Sequence, residues 1–96
     1  MLFTVYVTGE GSRFHALTPD LPECEATGTD LSQTLARVHL EIEARIGQLL
    51  LAGQPVPSPR SLTEISHADE YAHGGLYEIY VDDHQLAAMA VHQADK

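Results

Sequence analysis

Residues 19–35 read PDLPECEATGTDLSQTL, and this stretch connects two short extended segments to the start of a long helix. Pro19 and Pro22 have no amide hydrogen to donate, so they exclude a central strand here and favour a bend between them. A short third strand is expected around residues 24–27 before the helix begins. The stretch therefore predicts the change from a sheet to a helix on which the rest of the fold depends.

The helix that follows is signalled at both ends. Asp30 can accept a hydrogen bond from the amide of Gln33, and the Gln33 side chain can reach back, which is the arrangement of a capping box. Gly53 is expected to adopt a left-handed cap, and Pro55 cannot continue a helix. Between these signals, apolar residues recur at steps of three and four and form one stripe that we expect to cover a sheet: Leu31, Leu35, Val38, Ile42, Ile46 and Leu49.

Two strands are predicted before this stretch. Residues 2–8 alternate between apolar and other side chains with a period of two, which is typical of a strand. Residues 9–12 read GEGS, which is a turn composition, and residues 13–18 can form a second strand. We therefore expect an antiparallel hairpin whose odd-numbered residues in the first strand face the core.

The chain after the helix is expected to return to the sheet. Residues 55–59 contain three prolines and favour an extended connector. Ser61 can cap a single helical turn, residues 67–75 are polar and are expected to form a loop, and residues 76–82 alternate as a last strand. The order β-β-β-α-β predicts an α+β fold: a small antiparallel-type sheet with one long amphipathic helix packed on one face.

A chain of 96 residues suits one small domain. We expect residues 1–54 to form the hairpin, third strand and long helix, residues 55–75 the proline-rich connector and loop, and residues 76–83 the last strand. Residues 84–96 would be a tail in which residues 86–91 could form two helical turns.

One helix would leave the second face of the sheet uncovered. Several apolar side chains fall on that face by parity, and if they lie together they make a surface that favours self-association as a dimer or tetramer. The alternative is that they are scattered apolar residues of an ordinary surface. The predicted oligomer face comprises Leu2, Tyr6, Leu17, Leu76 and Tyr80.

The charge balance bears on possible partners. Fourteen acidic residues oppose five basic ones, for a formal net charge of -9. Binding to nucleic acid depends on Lys and Arg, so direct nucleic-acid binding is not expected. A basic protein is a more natural partner, although acidity can also serve solubility alone. No leader or membrane-spanning run is recognisable, which favours a cytoplasmic protein with no membrane partner.

The residues that could carry catalysis give no strong motif. Cys24 is the single cysteine, it is expected to be a small core residue, and acidic neighbours would raise the pKa of its thiol. His67, Asp69 and His73 fit no established metal-ligand spacing. We therefore expect a non-enzymatic protein with no cofactor. A metal-dependent hydrolase that uses these three residues stays an alternative, and it would require bound metal.

Residues 19–28, the capped helix from Leu31, and the GQPVPSP segment at residues 53–59 together resemble the HicB antitoxin family. That family has a P-D-L-P-x-C segment, a short strand ending in Gly, an amphipathic helix and a G-x-P-I-P-x-P tail. The short turn after Ser61 and the strand at residues 76–82 resemble its last elements, so the resemblance covers most of the chain. This sequence departs from the pattern at Glu23, where a small residue is usual, and at the helix start, which is usually rich in Glu.

The resemblance implies a partial RNase H-like arrangement that binds a small basic HicA-type toxin, an enzyme that cleaves messenger RNA. The partner surface is then expected on the acidic edge of the third strand, at Asp20, Glu23 and Glu25, and on the exposed helix side, at Glu41 and Glu43. The bend at Asp20 has a structural interpretation as well. Full-length relatives usually append a DNA-binding segment, and the residues after the last strand are too few to form one here, so we expect no autonomous operator binding.

Two classes of function stay open. The first is an antitoxin that masks an RNA-cleaving partner. The second is an orphan relative that serves as an oligomeric scaffold or regulator. A small basic gene product encoded next to this one would favour the first, and an isolated gene would favour the second.

Overall fold

A computed structural model describes residues 1–82. Its elements follow the predicted order: β1 (Leu2–Glu10), β2 (Arg13–Leu17), β3 (Glu25–Gly28), α1 (Leu31–Leu51), α2 (Leu62–Ser66), a one-turn 3₁₀ helix (Asp69–Tyr71) and β4 (Gly75–Tyr80). The predicted α+β class is confirmed. The division of all 96 residues into one domain stays a prediction, and the tail at residues 84–96 lies outside the described residues.

The four strands form one antiparallel sheet in the order β3-β2-β1-β4. The predicted hairpin closes with Glu10 opposite Arg13, so β1 continues two residues beyond its predicted end. The last strand pairs with the free side of β1, where Leu2 lies opposite Tyr80. β1 is therefore an inner strand, and its outer neighbour comes from the far end of the described chain.

The main core lies between the sheet and α1. Alternation along β1 places Phe3, Val5 and Val7 toward the helix, and all three are buried. Val38, Ile42 and Ile46 meet them from α1 and are fully buried. The predicted apolar stripe of the helix is thus confirmed at its centre, while Leu31 and Leu35 at the N-terminal end are half-buried and pack on the edge of this core.

Both ends of α1 have defined caps. At the start, an Oδ1 atom of Asp30 accepts a hydrogen bond from the Gln33 amide at 2.7 Å. The Gln33 side chain was expected to accept from the amide of Asp30. Its Oε1 instead accepts from the amide of Thr29, one residue earlier, at 2.9 Å. At the end, Gly53 has a φ of 68° as predicted. The amide of the next residue, Gln54, donates to the carbonyl of Leu49 at 2.9 Å, which closes the helix as a Schellman motif.

The second face of the sheet is partly covered, which the sequence did not predict. Ile65 of α2 is fully buried yet lies outside the main core cluster. Tyr71, from the 3₁₀ turn, packs edge-on against Tyr6 with ring centroids 5.1 Å apart. The capping box at Ser61 that begins α2 is confirmed, but the segment expected to be a loop contains a helical turn that shields part of the sheet.

Candidate functional site

The bend at residues 19–24 is a closed loop with a buried base. Leu21 and Cys24 are both 1% exposed. The amide of Leu21 donates to the carbonyl of Thr18 at 3.0 Å, and the amide of Cys24 donates to the carbonyl of Leu21 at 2.8 Å. The two prolines remove donors where no partner is needed. The loop therefore anchors its apolar residues in the core and leaves Glu23 at the surface.

Asp20 holds this loop to the distant connector. Its Oδ1 accepts from Arg60 Nε, and its Oδ2 accepts from the Arg60 backbone amide, both at 2.7 Å. Only 13% of the Asp20 side chain is exposed, and the hydrogen bond with Asp20 raises the pKa of the Arg60 guanidinium. This geometry supports the structural interpretation of the bend, and a partner contact by Asp20 stays a prediction.

Glu23 and Glu41 lie on the same cleft, between the bend and the flank of α1. The cleft has a volume of about 200 Å³ and is lined by Glu23, Cys24, Glu41, Ala44, Arg45 and Gln48. Glu23 accepts from Arg45 Nε at 2.6 Å. The pKa of Glu23 is lowered first by a hydrogen bond to its own backbone amide and then by Arg45. Two of the predicted partner residues thus form one polar surface around this ion pair.

Cys24 lies at the base of this cleft as a protonated thiol. Its Sγ donates to the backbone carbonyl of Glu41 at 3.5 Å. Burial, followed by the charges of Glu23 and Glu41, raises its pKa from 9.0 to about 11. A thiol in that state is a poor nucleophile. The prediction that Cys24 is a buried core residue is confirmed.

The other predicted acidic residues lie elsewhere. Glu25 is on β3 near His15, with a carboxylate to Nε2 distance of 3.4 Å. Glu43 is near His39, one turn away on α1, at 3.7 Å. Because successive helical residues are about 100° apart, Glu41 and Glu43 project to opposite flanks of α1. The five predicted residues therefore do not form one continuous surface.

The predicted oligomer face is interrupted at its centre. Leu2 and Tyr80 are cross-strand neighbours that are 48% and 62% exposed. Tyr6, by contrast, is only 8% exposed because Tyr71 covers it, and burial raises the pKa of the Tyr71 hydroxyl. Leu17 and Leu76 are half-buried. Alternation along the strands placed these residues on the second face, but it could not indicate what packs on that face. Tyr6 was expected at the surface and is instead buried.

Sequence reasoning missed a second apolar stripe on α1. Its largest members, Leu40 and Leu51, are 66% and 50% exposed. The signal was present as a second series of apolar or small residues at helical spacing, which the stronger buried stripe obscured. The outer stripe comprises Ala36, Leu40, Ala44, Gly47 and Leu51.

Within residues 1–82, no cluster of three or more His, Cys, Asp or Glu side chains has the geometry to hold a metal ion. His67, Asp69 and His73 are thus not brought together as ligands, contrary to the metal-dependent alternative. No helix among the same residues has the length and apolar character needed to span a membrane.

Comparison with known proteins identifies the fold. Neither a scan against protein-family models nor a search of curated proteins finds a match. Among solved structures, the N-terminal domain of the Burkholderia pseudomallei antitoxin HicB is similar with a TM-score of 0.79 and 23% identity, over 85% of this chain and 99% of that one.

Two further structures agree. The longer Burkholderia pseudomallei antitoxin HicB gives a TM-score of 0.80 at 21% identity, over 99% of this chain and 80% of that one. A chain of the HicA3 and HicB3 toxin-antitoxin complex gives 0.65 at 21% identity, over 85% of this chain and 99% of that one. The chain therefore has the fold of the N-terminal domain of the antitoxin HicB.

Proposed function

We propose that this chain is an antitoxin-like binding protein of a type II toxin-antitoxin system. It binds a small basic HicA-type toxin and prevents that toxin from cleaving messenger RNA. The observation that carries the proposal is the shared fold: the chain matches the N-terminal domain of one HicB antitoxin with a TM-score of 0.79 and a chain of a toxin-antitoxin complex with a TM-score of 0.65.

The charge of the chain supports a basic partner. A net charge of -9 attracts a basic protein from a distance, increases the rate of encounter and disfavours RNA as a competing ligand. A toxin that uses a basic surface to hold RNA would lose that surface on binding. The antitoxin acts in the cytoplasm, where messenger RNA is the substrate to be protected.

The proposed mechanism is binding without catalysis by this chain. Cys24, the strongest nucleophile by residue type, is buried and its pKa is raised to about 11. Glu23 is held by Arg45. The reactive groups of the cleft therefore stabilise the fold, and inhibition requires only that the complex covers the toxin's RNA-binding surface.

The test uses the purified chain and the small basic protein encoded beside its gene. Calorimetry should give submicromolar binding, and the chain should stop cleavage of a reporter RNA at equimolar ratio. RNA cleavage that continues in the presence of a saturating excess of the chain would refute the antitoxin function, as would the absence of binding.

A charge reversal tests whether local charges contact the partner. Glu41→Lys, at the cleft, should weaken binding and reduce its salt dependence, because it replaces an attractive charge at the interface. Glu70→Lys makes the same change in net charge at an exposed site outside the predicted partner residues. Equal effects of the two variants would mean that net charge alone guides the encounter and that Glu41 is not in the interface.

The second candidate function is an orphan HicB-like oligomeric scaffold or regulator. The observation that favours it is the adjacent exposure of Leu2 and Tyr80, at 48% and 62%, on the second face of the sheet. Sedimentation of the chain alone distinguishes the two candidates. A stable dimer or tetramer that Tyr80→Ser converts to a monomer, together with no binding to the basic neighbour, would favour the scaffold.

A further inference from the structure

The outer side of α1 carries the apolar surface defined above as the outer stripe. At about 100° per residue, its five members fall within an arc of about 80°, directly opposite the stripe that packs on the sheet. Leu40 is 66% exposed and Leu51 is 50% exposed. A surface helix normally carries polar residues on this side, so the stripe is not explained by the packing of residues 1–82 alone.

Gly47 is the second observation on this surface. Glycine in the middle of a helix costs about 1 kcal/mol relative to alanine. A Cβ at Gly47 would meet no atom within 4 Å among the described residues outside its own helix and chain neighbours. Its φ is not positive, so neither backbone conformation nor crowding by residues 1–82 requires a glycine. A close approach by another molecule would favour one.

The shape of the stripe fits an extended or helical segment of a partner. Leu40 and Leu51 are three turns apart, about 16 Å along the axis, and the small residues Ala44 and Gly47 lie between them. Small residues allow a partner's backbone to approach closely, while the two leucines close the depression at either end. The stripe is therefore a groove that can receive one or two apolar side chains.

The charges beside the groove indicate the kind of partner. Glu41 and Glu43 lie on its two flanks. Arg37 and Arg45 lie on the same flank as Glu41. However, Arg37 donates a hydrogen bond to a backbone carbonyl of β3, and Arg45 is paired with Glu23. A second copy of this chain would join two chains of net charge -9. A partner segment with apolar side chains between Lys or Arg residues would instead pair its basic groups with Glu41 and Glu43.

We propose that the outer stripe of α1 is the docking surface for an apolar segment flanked by Lys or Arg on the basic partner protein. This inference rests on the proposed function and names the surface through which it operates. The partner's apolar side chains lie over Ala44 and Gly47 between the two leucines, and its basic groups meet Glu41 and Glu43.

The test measures binding of the basic neighbouring gene product to four forms of the full chain. Leu40→Glu should weaken binding about tenfold or more, because it places a charge against the partner's apolar side chains at the edge of the groove. Thr63→Glu adds the same charge at an exposed position of α2 and should leave binding unchanged. Gly47→Ala should weaken binding while raising the stability of the free chain, a combination that a purely structural role of Gly47 would not produce.

Each of the other outcomes contradicts the proposed function, the docking surface or the proposed occupant of that surface. If the wild-type chain does not bind, both the proposed function and this surface are wrong. If it binds and Leu40→Glu binds equally well, the function stands and the docking surface is wrong. If the chain alone is a dimer that Leu40→Glu converts to a monomer, a second copy occupies the groove and the proposed occupant is wrong.

Discussion

Replacing Gly47 by alanine should raise the free energy of unfolding by about 1 kcal/mol, although the wild-type residue is inside a long helix. The magnitude is the difference in helix propensity between the two residues in a helix interior. No steric cost opposes it, since the added Cβ would have open space among the described residues beyond its own helix. For a domain of this size, the gain corresponds to an increase in Tm of about 4–8 °C.

Urea unfolding followed by circular dichroism measures this effect as a shift in midpoint of about 0.3–1 M. Gly53→Ala is the matched control, because a Cβ there also meets no described neighbour within 4 Å but the φ of Gly53 is 68°. The same added methyl group should therefore lower stability there by about 1 kcal/mol or more. Shifts of the same sign in both variants would refute the conformational explanation. A loss of stability in Gly47→Ala would mean that the added methyl group meets other atoms packed against Gly47 in solution.

Further predictions concern two buried positions. Gly28→Ala should destabilise the fold by about 1–3 kcal/mol in urea unfolding, since its Cβ would lie 2.5 Å from Thr34 Oγ1 and 3.1 Å from the Thr34 amide nitrogen; wild-type stability would contradict this packing. Cys24 should react with iodoacetamide at pH 8 about a hundredfold more slowly in the folded chain than in urea, because its pKa rises from 9.0 to about 11 and the thiolate fraction falls accordingly. Similar alkylation rates in the folded chain and in urea would show an accessible thiol. The same pKa shift should lower the free energy of unfolding as the pH rises from about 9 to about 11, since the unfolded chain loses its proton first.

Local patterns were sufficient to predict the elements of this fold. The period of two in β1 correctly identified Phe3 and Val5 as core residues, and the step of three and four in α1 did the same for Ile42 and Ile46. Caps depend on residues within one turn, so Asp30 and Gly53 could be assigned from their neighbours alone. These features share a short range in sequence.

Features that depend on distant residues could not be predicted in the same way. The ion pair of Asp20 with Arg60 joins positions 40 residues apart, and the covering of Tyr6 depends on a 3₁₀ turn near Tyr71 that has no strong local signal. For the candidate site, residue type indicated five acidic groups, of which Glu23, Glu25 and Glu41 are exposed, and their contact with a partner stays a prediction. The placement of Glu41 and Glu43 on opposite flanks of the outer stripe follows from helical spacing, and the stronger buried stripe obscured it.

The inner position of β1 has a consequence for synthesis of the chain. The Met1 amino group donates to the carbonyl of Val81, 80 residues away, at 2.8 Å, and β4 covers the side of β1 that the hairpin leaves open. During translation, that side of β1 stays unpaired until β4 has left the ribosome, and forming such long-range pairs is slow. An unpaired apolar strand is a template for aggregation. A nascent chain that stalls before Gly75 is therefore expected to depend on chaperones, and the supply of folded protein would respond to the rate of elongation as well as to the rate of initiation.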